Sequence, residues 1–74
     1  MENEREQIAK NFELAAEELE KAAAHYKVAS QRVLAGDIPS GCAHAFASRG
    51  HSSKANTLVD ENSLIHSRFA IIED

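Results

Sequence analysis

Residues Ile8–Val33 read IAKNFELAAEELEKAAAHYKVASQRV, and the spacing of their apolar side chains decides the fold. Ile8, Phe12, Ala15, Leu19, Ala22, Tyr26, Ala29 and Val33 follow in alternating steps of four and three. That rhythm lays one continuous apolar stripe along a helix and is incompatible with the period of two that a half-buried strand requires. Alanine, glutamate, lysine and leucine fill most other positions, and all favour helix. Glu6 with Lys10 and Glu17 with Lys21 add favourable pairs four apart, each worth only ~0.3 kcal/mol on a solvated face. The spacing predicts a helix over about residues 3–35, roughly 50 Å long at 1.5 Å per residue.

Working outward, Gly36, Asp37, Ile38, Pro39, Ser40 and Gly41 gather the sole proline and two of the three glycines. A glycine suited to a helix C-terminus, a capable N-cap and a helix-starting proline make 36–41 a turn. Beyond it the heptad spacing returns in His44, Ser48, His51, Ala55, Leu58, Asn62, Ile65, Phe69 and Ile72, predicting a second helix over about 41–71. The stripe keeps its phase across Gly50, which favours an unbroken helix. A kink between 50 and 62 is the alternative, because Gly50 costs about 1 kcal/mol relative to alanine and Asp60 suits a fresh N-cap.

Two long helices joined by a short turn form an antiparallel hairpin. Folding about residues 38 and 39 places Val33 opposite His44, Ala29 opposite Ser48, Tyr26 opposite His51 and Ala22 opposite Ala55. Further along, Leu19 meets Leu58, Ala15 meets Asn62, Phe12 meets Ile65, and Ile8 meets Phe69. The expected core and oligomer contacts are therefore Phe12, Leu19, Leu58, Ile65 and Phe69.

Sixteen Leu, Ile, Val or Phe side chains and thirteen alanines in 74 residues support one small domain, too small for a large catalytic cleft. A lone hairpin leaves one flank of each stripe uncovered. Ala9, Ala16, Ala23 and Ser30 widen the face of the first helix, and Val59, Ile71 and Ile72 that of the second. The expected fold is all-α, an antiparallel two-helix hairpin assembling into a homo-oligomeric helical bundle, most simply a dimer.

Composition narrows the function further. A net charge of −4 argues against the broad basic surface that nucleic-acid binders use, and Arg49, Lys54 and Arg68 are too sparse for specific readout. No apolar run approaches the ~18 residues of a membrane span. The acidic opening Met1–Glu6 lacks the basic flank and apolar stretch of a signal peptide, so the cytoplasm is the expected compartment. The glutamates of the first helix are offset by Arg5, Lys10 and Lys21, which reads as a solvated face rather than a mimic of an anionic ligand.

Four histidines raise the question of a metal, and spacing answers it. His44 and His51 are seven apart, about 10.5 Å along a helix, too far to share an ion within one chain. No ligand set three or four apart surrounds any histidine. The single Cys42 can form no internal disulfide. At a helix start its thiol would be activated by the dipole, but an apolar filler is the commoner role. No serine lies in a nucleophile-elbow pattern, and no glycine-rich phosphate loop occurs. No catalytic, cofactor or metal residue is therefore assigned.

The hairpin register does bring His51 level with His25 and Tyr26, giving a polar cluster in an apolar interface. With His44 these form the candidate ligand-binding or polar-network residues. A hydrogen-bonded network that fixes register is the favoured reading, as for the polar Asn62 opposite Ala15. A pH-responsive or ligand-contacting site is the other.

The segment Gly41 Cys42 Ala43 His44 Ala45 Phe46 Ala47, with Gly50 His51 and later His66, is similar to short uncharacterised proteins of temperate bacteriophages and prophages. This resemblance implies a phage accessory protein, a class of small non-enzymatic binders of host proteins or signalling molecules. The expected function is thus a non-enzymatic interaction protein that binds and modulates a host macromolecule, with itself and a host protein as partners. The alternative is an oligomeric small-molecule sequestering protein, with His25, Tyr26, His44 and His51 lining pockets between subunits.

Overall fold

The computed structural model describes residues 2–68, which form two helices, α1 (Glu2–Leu34) and α2 (Ile38–Ser67), packed against each other along their length as a hairpin. Neither is long and apolar enough to cross a membrane, among the described residues.

The turn is closed by backbone chemistry. Gly36 adopts a φ of +90°, a left-handed conformation that only glycine takes without cost. Its N–H donates to Val33 O at 3.0 Å, and that of Asp37 donates to Arg32 O at 2.8 Å. Together these satisfy the last carbonyls of α1 in a Schellman arrangement. Asp37 then caps α2 by accepting from the Ser40 N–H at 3.2 Å, and Pro39 sits in the first turn, where its missing N–H costs nothing.

This geometry shortens the expected turn. Because Asp37 is already the cap, α2 starts at Ile38 rather than near 41, and the chain folds about residue 36 rather than 38 or 39. The facing partners on α1 shift by about one to two helical turns. Ser48 donates to Ala22 O at 2.7 Å, Asn11 to Asn62 at 3.0 Å, and Glu18 meets His51, none of which are the pairings expected from the sequence. Leu19 does not face Leu58. Leu58 is half-buried and shares a shallow groove with Leu14 instead. α2 is helical without a break through Gly50 and over 50–62 to Ser67. The expected helical residues 69–71, and the core assignment of Phe69, lie outside the described residues.

α1 is also rotated from the expected orientation. Ala15, Ala22 and Ala29 are buried as the stripe requires, but Asn11, Glu18 and His25 accompany them inward. Phe12, Leu19, Tyr26 and Val33 instead stand 54%, 51%, 49% and 47% exposed. Moving from one flank of the alanine line to the other turns the helix by roughly 50°, half of the 100° between successive residues. The cause lies in α2, whose inner face carries His44, Ser48, His51 and Asn62. Leaving such groups unpaired against Phe12 or Leu19 would cost about 1–3 kcal/mol each, whereas Asn11, Glu18 and His25 give Asn62, His51 and His44 partners and Ser48 reaches the Ala22 carbonyl.

The core is correspondingly thin. Small residues recur every seven positions, Ala15, Ala22 and Ala29 on α1 against Gly41, Ser48, Ala55 and Asn62 on α2, and Ile65 is the one large apolar side chain buried among the described residues. Their size lets the helices come close. At Gly41 an added Cβ would lie 2.5 Å from Val33 Cγ2 and 3.0 Å from Ala29 O.

Candidate functional site

Two features follow from the rotation of α1: a polar row inside the hairpin and an apolar flank outside it. The polar row is built on matching heptads. Asn11, Glu18 and His25 are seven apart on α1, as are His44 and His51 on α2, so antiparallel packing sets them side by side.

At the open end, Gln7 Nε2 donates to Asn11 Oδ1 at 2.9 Å, and Asn11 Nδ2 to Asn62 Oδ1 at 3.0 Å. Asn62 Nδ2 in turn donates to Ile8 O at 3.0 Å. Nearer the turn, His51 Nδ1 lies 2.7 Å from Glu18 Oε1, and the His51 ring stacks on His25 with centroids 5.5 Å apart and planes 13° from parallel. His25 Nδ1 lies 2.9 Å from His44 Nδ1, their ring centroids 5.2 Å apart. One of these two nitrogens must donate and the other accept, so the contact requires a neutral imidazole in the pair. Among the described residues, every buried side-chain nitrogen or oxygen has a hydrogen-bond partner.

The hydrogen bond from His51 holds the Glu18 carboxyl below its ordinary range, opposed by partial burial and assisted by Lys21 at 3.3 Å and by the charge of Lys54. Lys21 is itself exposed, and such a pair contributes little to stability.

Of the four residues expected to cluster, His25, His44 and His51 do meet, and Tyr26 does not. It lies on the outer flank, beyond the row it was expected to join. The structure also replaces Ala15 by Asn11 as the neighbour of Asn62 and adds Glu18, which sequence reasoning missed. The signal for both was the polar heptad Asn11, Glu18, His25 beside the alanine line. Among the described residues no group of three or more His, Cys, Asp or Glu side chains is arranged to hold a metal ion. Cys42 is exposed, and because α2 begins at Ile38 it sits in the second turn of that helix rather than at its start.

The row ties its imidazoles and carboxylate to one another, which suits holding two helices in register. The outer flank is different in kind. Phe12, Leu19, Tyr26 and Val33 are seven apart, with Ala9, Ala16, Ala23 and Ser30, all exposed, in the adjacent line. The groove between this flank and α2 is lined by Val33, Leu34 and Ala45 near the turn and by Ile8, Phe12 and Val59 toward the other end. No family model matches the chain, and neither a curated protein nor a solved structure is similar to it.

Proposed function

We propose that this chain is a non-enzymatic interaction protein that works through the apolar flank of α1. The observation that carries the reading is the line Phe12, Leu19, Tyr26 and Val33, four large apolar side chains about half exposed in unbroken heptad register. Scattered apolar residues on a surface need no explanation, but a continuous line of this kind marks a contact surface. The polar row supports this role by keeping the flank outward, since slipping or rotating the helices would break hydrogen bonds on both sides of the interface. The chain's partners are a second copy of itself and, in keeping with the likeness to phage accessory proteins, a host macromolecule, and the site of action is the cytoplasm. Sequestration of a small molecule draws no comparable support, because the histidines are engaged with each other and with Glu18 rather than lining a pocket with Tyr26.

Gel filtration of bacterial lysates containing the tagged chain tests this. The wild-type chain should elute in a complex heavier than its 8.1 kDa, and Leu19→Asp should release it while leaving the circular dichroism unchanged. An elution position that Leu19→Asp does not alter overturns the reading.

A further inference from the structure

We infer that the occupant of the α1 flank is the same flank of a second copy, laid antiparallel about a two-fold axis level with residue 21. The inference rests on the interaction reading above and names its partner. The flank alternates two lines, small residues at Ala9, Ala16, Ala23 and Ser30 and large ones at Phe12, Leu19, Tyr26 and Val33. It runs about 36 Å at 1.5 Å per residue without a charged side chain in either line.

Such a surface distinguishes its possible mates by size. Laid parallel on itself, it sets Phe12 on Phe12 and Tyr26 on Tyr26 in some layers and alanine on alanine in the others. The layers are then alternately too thick and too thin for straight helices. Laid antiparallel, every layer pairs one large residue with one small one: Ala9 with Val33, Phe12 with Ser30, Ala16 with Tyr26, and Leu19 with Ala23, each repeated by the two-fold axis. The layers are then uniform, which close packing demands. This is the self-complementarity of an isologous interface, and it is satisfied along the whole seam.

Charge agrees with size. Glu13, Glu20 and Lys27 form the exposed line next to the small residues, at the solvent edge of the flank. In the antiparallel arrangement Glu13 of each copy comes beside Lys27 of the other, twice over. Only Glu20 meets its own kind, at the axis, on a solvated edge where the repulsion between like charges is weak. A parallel pair would oppose all three like charges. Along the same groove α2 contributes Ala45 and Val59, compact side chains that leave room for the incoming helix.

Single cysteines in a Cys42→Ser background, oxidised in the purified chain, test both partner and direction. Glu20→Cys should give a covalent dimer readily, because position 20 lies beside the axis. Glu13→Cys alone should not, its mate being roughly 24 Å away along the helices. Glu13→Cys combined with Lys27→Cys should again cross-link. Lys54→Cys, on the opposite groove with Leu14 and Glu18, supplies the background rate. Cross-linking of Glu13→Cys as fast as Glu20→Cys overturns the antiparallel arrangement, and Glu20→Cys no faster than Lys54→Cys overturns the second copy altogether. If the purified chain fails these tests while Leu19→Asp still dissolves the complex in lysate, the occupant is a different protein and the interaction reading stands. Loss of neither signal with Leu19→Asp removes both.

Discussion

The two glycines of α2 occupy opposite situations, and the same substitution should move stability in opposite directions. Gly50 has nothing within 4 Å of a would-be Cβ and lies within an uninterrupted helix, so Gly50→Ala should stabilise by about 1 kcal/mol through helix propensity. At Gly41 the new methyl would press on Val33, whose branched side chain is stiff in a helix, and on the Ala29 carbonyl. Overpacking of this sort costs about 1–3 kcal/mol and outweighs the propensity gain. Urea melts followed at 222 nm check both, and equal effects of the two variants would refute the close approach at Gly41. Asn62 makes a second residue-scale case. Asn62→Ala strips partners from Asn11 and from the Ile8 carbonyl and should cost about 1–3 kcal/mol in the same melts. Replacing Asn11 and Asn62 together by leucine should recover much of that loss, since no buried amide is then left unpaired.

The two elements are bound by polar as much as by apolar contacts, and this gives the hairpin an acid dependence. Glu18, whose carboxyl is held below the usual value of 4.5 by His51, contributes stability that is complete above that value and disappears as pH falls through its lowered folded-state value. Thermal midpoints of the wild type should therefore fall toward those of Glu18→Gln between about pH 5 and pH 3, with the gap widest above pH 5. Parallel curves for the two proteins over that range would show that the carboxylate has no such role. The elements themselves were legible from heptad spacing and from the Gly-Asp-Ile-Pro turn, whose residues stop one helix and start the next. Their facing was not. Ala15, Ala22 and Ala29 are shared by two candidate stripes, one flanked by Phe12 and Leu19 and the other by Asn11 and Glu18. Apolar periodicity favours the first. The balance tips only when the unpaired polar groups of α2 are counted, and that count needs the register. The register in turn depended on whether Asp37 or a later residue capped α2. Starting α2 about one turn earlier slides its facing partners by one to two turns along α1, which brings His51 to Glu18 while it stays stacked on His25.

For the molecule as a whole, the thin core and the uncovered seam are two sides of one choice. A hairpin with Phe12, Leu19, Tyr26 and Val33 turned inward would bury more apolar surface on its own and present less to a partner. Here most of the large apolar side chains of α1 are held outside by a hydrogen-bonded interior, so the hairpin by itself leaves uncovered much of the apolar surface that a chain of this size needs to bury. Stability should accordingly depend on protein concentration. The thermal midpoint of the wild type should rise as the chain is concentrated from micromolar to millimolar, and that of Leu19→Asp should stay constant over the same range. A midpoint independent of concentration in both would mean that the exposed line adds nothing to folding.

The contacts of Asn62 with Ile8 and Asn11 put the beginning of α1 and the far end of α2 at one pole of the rod, with Gly36 at the other. A tag or surface tether attached at either end of the helices therefore stands at the same pole. Immobilised molecules would project their turns outward like bristles, every α1 running the same way, so neighbouring rods could not mate with each other along an antiparallel seam. A sensor layer loaded in this way would keep the α1 flanks of its own molecules unpaired, leaving each free to take an inverted copy from solution.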